Sequence, residues 1–107
     1  MQKLPIPVAG YFAATNKHDI PAILASFLDD AVVQDEGQQH RGLDAIGKWA
    51  SETIRKYDFT VEPADVTEAN HETVVTAVVS GTFPGSPLRL RYKFLVDGNG
   101  IRRLEIV

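Results

Sequence analysis

The apolar positions of the chain change period along its length, and each change marks an element. Leu4, Val8, Tyr11, Phe12 and Thr15 recur at helical spacing, so a first helix is predicted from about Ile6 to Asn16, with Pro5 and Pro7 suited to its entry. Asn16-Lys17-His18-Asp19 breaks it. Asp19 then reads as an N-cap, since its carboxylate can accept the free N–H groups of the next turn, and Pro21 is tolerated just inside. A short second helix follows, with Ile20, Ile23, Leu24, Phe27 and Leu28 as its buried stripe. The period next falls to two: Ala31, Val33 and Asp35 share one face of a strand that runs into the glycine turn at Gly37. An apolar row thus leads directly to a carboxylate, while Glu36 is expected to point the other way, toward solvent or an interface.

Gly37 to Gly42 reads as a polar turn or short hairpin. Leu43, Ile46, Trp49, Ala50, Thr53, Ile54 and Tyr57 then form the amphipathic stripe of a third helix, roughly Leu43 to Lys56, with Gly42 as an acceptable N-cap. From Tyr57 onward the pattern alternates again. Tyr57, Phe59 and Val61 open a strand in which Pro63 marks a bulge or an edge. The strand from Thr73 to Ser80 is apolar on both faces, so both are expected to be covered. Leu88, Leu90, Tyr92 and Phe94 alternate with Arg89, Arg91 and Lys93, and the turn Asp97-Gly98-Asn99-Gly100 joins them to a last strand, Ile101 to Val107. Helices followed by a meander of long strands make the fold α+β. A second copy of the chain is the economical cover for the outer sheet face, so a homodimer is expected.

Composition narrows the function. At 107 residues the chain is expected to form one domain, burying roughly two-thirds of its extended surface. The net charge is −3 and the basic residues are scattered, which argues against a nucleic-acid partner. There is no cysteine, so disulfides, thiolate metal sites and thiol catalysis are excluded. The N-terminal residues lack the apolar core of a signal peptide, and no run approaches membrane-spanning length. A cytoplasmic location and no membrane partner are expected.

Several stretches then carry a resemblance. Tyr11-Phe12-Ala13-Ala14, His18-Asp19-Ile20, Ala22-Ile23 and Phe27 to Asp35 resemble the SnoaL-like branch of the nuclear-transport-factor-2-like superfamily. Gly42 to Ile46, Trp49, Ser80 to Pro87 and the Asp97-Gly98-Asn99-Gly100 turn extend the match over essentially the whole chain. The resemblance implies a cone: a strongly curved, mostly antiparallel sheet wrapped around three helices, with an apolar pocket at its open end and pairing through the outer sheet face. Members include ketosteroid isomerases, polyketide cyclases, dehydratases, epoxide hydrolases and non-catalytic binding modules, so fold alone selects no reaction.

The resemblance also assigns roles. Asp35 falls where isomerases and cyclases place the Asp that shuttles a proton, and Tyr11 where isomerases place the Tyr that donates to the substrate oxyanion. Their second donor, a protonated carboxylic acid on the penultimate strand, is Tyr92 here, a departure. The segment between Asp35 and Gly42 looks shorter than in isomerases, which implies a different pocket mouth. Phe12, Phe27, Val33, Trp49 and Tyr57 are the expected pocket walls, and His40 is a candidate rim residue. Neither metal-ligand spacing, nucleophile motif, phosphate loop nor dinucleotide fingerprint is found, and no cofactor is expected. The expected partner is a small apolar, carbonyl-bearing molecule, with Asp35 as a base for isomerisation, cyclisation or dehydration. The alternative is a non-catalytic ligand-binding or dimerisation module. It expects Asp35 exposed or clamped by a basic group, tyrosines that do not converge, and a pocket well below the ~300 Å³ typical of ligand sites.

Overall fold

A computed structural model describes residues 4–107. Three helices, α1 (Ile6–Asn16), α2 (Ile20–Ala25) and α3 (Leu43–Tyr57), accompany six strands, with α1 and α2 ahead of the first two strands and α3 ahead of the last four. These are β1 (Phe27–Asp35), β2 (Gln38–Arg41), β3 (Thr60–Ala69), β4 (Glu72–Ser80), β5 (Leu88–Asp97) and β6 (Gly100–Ile106). They form one sheet of order β2-β1-β6-β5-β4-β3, antiparallel except where β1 runs beside β6. Helical and sheet side chains share one core: Val8, Tyr11, Phe12, Ile23 and Ile46 meet Ala31, Val33, Val75, Phe94, Ile101 and Leu104.

Local chemistry sets the boundaries. The Asp19 carboxylate accepts the Ala22 N–H at 3.2 Å, as an N-cap should. Helix α2 stops at Ala25, and Phe27 and Leu28 belong to β1 rather than to the helical stripe. Phe27 is instead buried from the strand, paired beside Ile101 of β6. Tyr57 likewise closes α3 instead of opening a strand. Asp58 follows in left-handed backbone at φ +44°, returning its N–H to the Ile54 carbonyl, and the sheet resumes at Thr60. Pro63 lies at a register shift of β3, the strand at one edge of the sheet, where its missing N–H costs least.

Strand β4 shows two different faces. Thr73, Val75, Ala77 and Val79 are buried in the core, whereas Val74, Thr76 and Val78 are only half-covered within the single chain. On that outer face β5 sets Lys93, Arg91 and Arg89 opposite them.

Candidate active site

The site begins with a turn. β1 delivers Asp35 to a two-residue connection, Glu36-Gly37, and Asp35 pairs with Gln38 at the start of β2. Both turn residues have positive φ, +53° and +75°, the geometry that matches the twist of a tight hairpin. Asn or Gly suits the first of these positions better than Glu. The chain leaves β1 at Glu36 in left-handed backbone, so strict alternation ends there. Glu36 is exposed to solvent, as expected, but it stands at the edge of the same cavity as Asp35 rather than on the opposite face.

Three further elements close the cavity. Helix α3 contributes Trp49, Thr53 and Tyr57 from its inward stripe, and Phe59 follows just beyond it. Strand β5 contributes Leu88, Leu90 and Tyr92, and Ile106 stands beside Tyr92 on β6. The β4–β5 connection adds Phe83 and Pro84, and Tyr11 reaches in from α1. The volume is about 380 Å³, within the range of small-molecule sites. Gly81 holds the connecting loop against α3: a Cβ there would lie 2.5 Å from the Tyr57 carbonyl, which already accepts the Thr82 N–H at 2.7 Å.

Asp35 is partly buried, and the Trp49 indole N–H donates to its Oδ2 at 3.0 Å. Burial is the main influence on this carboxyl and raises its pKa above the ordinary 3.8. The Trp49 hydrogen bond opposes that rise, the Glu36 charge adds to it, and His40 opposes it in turn. Tyr11 and Tyr92 are buried at 2% and 3% exposure, and burial raises both phenols above their ordinary range. The Asp35 charge pushes in the same direction on each. Both hydroxyls therefore keep their protons at neutral pH and beyond the ordinary phenol range. Among the described residues, no three His, Cys, Asp or Glu side chains gather as a metal site would need.

The SnoaL-like domain family matches residues 8–102. The chain belongs to that family. No curated protein matches this SnoaL-like chain by sequence. Solved structures do. A candidate polyketide cyclase from Sinorhizobium meliloti is 40% identical, with a TM-score of 0.93, over 97% of this chain and 95% of that one. A protein of ketosteroid isomerase-like fold from Catenulispora acidiphila, solved with trimethylamine, is 20% identical, with a TM-score of 0.85, over 98% and 86%. A computationally designed 17-OHP binder is 20% identical, with a TM-score of 0.80, over 95% and 87%. The last two show the fold alone: the nuclear-transport-factor-2-like cone.

Of the residues singled out from the sequence, Asp35, Tyr11, Tyr92, Trp49 and Tyr57 all line this cavity of the SnoaL-like domain. Phe12, Phe27 and Val33 do not. They are core, because Phe12 packs on Tyr92 and Phe94, Phe27 on Tyr11, and Val33 is fully enclosed between β6 and the helices. His40 lies on β2, half-buried, with its ring 6.1 Å from that of Trp49; it does not line the cavity. Glu36, Phe83, Leu90 and Ile106 were not anticipated as lining. The alternation of Leu88, Leu90 and Tyr92 carried the signal for Leu90.

Proposed function

We propose that this SnoaL-like protein is a cofactor-independent enzyme that moves a proton next to the carbonyl group of a small, mostly apolar molecule. The observation that carries this reading is that the partly buried Asp35 carboxyl and the protonated phenols of Tyr11 and Tyr92 line the same mostly apolar cavity. Asp35 takes the α-proton. Its raised pKa brings it nearer to useful base strength at neutral pH, and the Trp49 N–H fixes the orientation of its Oδ2. Tyr92, with Tyr11 beside it, donates to the oxygen on which the enolate charge develops. Prealigned donors in such a site are each worth roughly 3–4 kcal/mol of barrier. Returning the proton to another carbon gives isomerisation, attack of the enolate on a second carbonyl gives cyclisation, and loss of a leaving group gives dehydration.

Asp35→Asn keeps the size of the side chain and an acceptor for Trp49. With a methyl ketone as probe, wild-type protein should exchange α-protons for deuterium, followed by NMR, and the variant should lose about 10²–10⁴-fold in that rate. Equal exchange in the two proteins would remove Asp35 as the base. The non-catalytic alternative expects a small pocket and an exposed or ion-paired Asp35; the 380 Å³ cavity and the indole-bound carboxylate favour the enzyme.

The same proposal includes a homodimer through the outer sheet face. Val74 and Val78 lie there between the basic row Arg89, Arg91 and Lys93 on one side and Glu62 and Asp65 of β3 on the other. A twofold axis through this face would set bases against acids around an apolar centre. Light scattering should give twice the chain mass at micromolar concentration; a monomer mass would overturn the pairing.

A further inference from the structure

Charge in the cavity is one-sided. Asp35 and Glu36 both line it, and among the described residues no Lys, Arg or His does. The Glu36 carboxylate is not loose: the Tyr57 hydroxyl donates to its Oε1 at 2.9 Å, and its backbone sits at φ +53°, where Asn or Gly fits at lower cost. Aromatic rings stand beside it. Tyr57 and Phe83 meet edge to face at 5.7 Å between centroids, and Trp49 lies about two helical turns before Tyr57 on the same inward stripe. Tyr57 already takes a cation on one side, with the Lys56 ammonium 5.0 Å from its ring centroid. Lys56 itself is exposed and outside the cavity lining.

A second, independent feature lies deeper. The Tyr92 side chain is buried at 3% exposure, lines the cavity, and its hydroxyl has no hydrogen-bond partner among the described residues. That hydroxyl opens onto the cavity, so it is free to donate to an acceptor that a ligand brings. A cavity with a carboxylate and electron-rich ring faces at its mouth, and an unmet donor further in, complements a molecule that is cationic at one end and carries an acceptor at the other. Ring quadrupoles attract a desolvated cation, and a fixed carboxylate adds Coulomb attraction. An anionic ligand would meet two carboxylates in the lining, with the nearest cations, Lys56 and His40, outside it.

We propose that the substrate class is a carbonyl compound bearing an alkylammonium group, with the ammonium held between Glu36 and the rings of Tyr57 and Phe83 and the carbonyl oxygen at Tyr92. The carbonyl half of this assignment rests on the proton-transfer reading above; the charge preference stands on Glu36 and the rings.

Three probes separate the two. They are a methyl ketone joined by three methylenes to a trimethylammonium group, the same ketone ending in tert-butyl, and the same ketone ending in a carboxylate. Binding is read by calorimetry and by the fluorescence of Trp49, the single tryptophan of the chain. The ammonium ketone should bind about tenfold tighter than its tert-butyl isostere at low salt, with the carboxylate ketone weakest. Glu36→Gln, which keeps an acceptor for Tyr57, should bring the first two to within about twofold. Equal affinity for the ammonium and tert-butyl ketones, or a preference that survives in E36Q, overturns the charge assignment. Asp35-dependent proton exchange on the tert-butyl ketone without any ammonium preference would leave the base reading standing and this one refuted. An ammonium preference abolished by E36Q, with no proton exchange on any probe, would support charge selection and refute the base.

Discussion

The two ends of this molecule are built from the same kinds of residue and behave differently. At the closed end Tyr11, Phe12, Phe27, Tyr92 and Phe94 form an aromatic cluster, mostly edge to face, with centroids 5.2–6.4 Å apart. At the open end Trp49, Tyr57 and Phe83 border an unfilled volume, and Trp49 and Tyr57 donate their polar hydrogens to the carboxylates of Asp35 and Glu36. Tyr11 and Tyr92 belong to both ends. Their rings are held in the packed cluster and they also line the cavity. The comparison teaches that the two phenols are positioned by core packing, whereas the Asp35 carboxyl is positioned by a turn and an indole.

Substitutions at the two ends should therefore separate stability from chemistry. The largest effect belongs to Phe94, which is fully buried and packs against three other rings of the cluster, Tyr11, Phe12 and Tyr92. Phe94→Ala should cost about 3–5 kcal/mol in denaturant unfolding. Activity should fall with it, since both phenols lose their backing. A destabilisation under about 1 kcal/mol would show that the cluster does not carry the fold in the way its packing implies.

Tyr92→Phe comes next and inverts the pattern. The ring stays, the hydroxyl leaves, and no hydrogen bond among the described residues is broken. Proton exchange on a ketone probe should slow about 10²–10³-fold, while unfolding free energy changes by less than about 1 kcal/mol. An unchanged rate would leave Tyr92 as a core aromatic and Tyr11 as the sole donor; Tyr11→Phe on the same probe then decides whether either phenol acts.

This division also explains what could be read from the sequence. The closed end was legible because packing obeys periodicity: Val8, Tyr11, Phe12, Ile46, Val75 and Phe94 sit on the faces their spacing assigns. Asp35 was legible for the same reason, at the end of the row Ala31, Val33, Asp35. Glu36 was not, because alternation holds only while the backbone stays extended, and the chain turns left-handed at that residue. Nor did pattern alone show that Phe12, Phe27 and Val33 fall behind the cavity wall: an inward face is shared by core and pocket, and their difference is depth. Phe83 and Pro84 lie in a loop without periodicity, brought to the mouth by the close approach of Gly81 to the end of α3.

The smallest expected effect tests the acid itself. Burial and the Glu36 charge raise the pKa of Asp35 in the folded chain above the 3.8 it has when free, against the opposing pull of Trp49 and His40. The native state thus binds this proton more tightly than the unfolded chain does. That preference stabilises the fold fully below the unfolded pKa and is lost as pH rises through the raised one. Asp35→Asn does not ionise, so it should melt higher than wild type at neutral pH, and the difference should shrink toward zero as pH falls below about 4. The proton-exchange rate of the wild type should rise with pH through the same raised midpoint. It should not decline below about pH 10, because Tyr11 and Tyr92 hold their protons beyond the ordinary phenol range. Trp49→Phe sharpens the test: removing the indole N–H takes away a hydrogen bond that favours the charged form, so the midpoint should move further up in both melting and rate. A melting difference independent of pH, or a rate midpoint at the ordinary carboxylate value, would mean that Asp35 is solvated, and the turn rather than the cavity would then govern its chemistry.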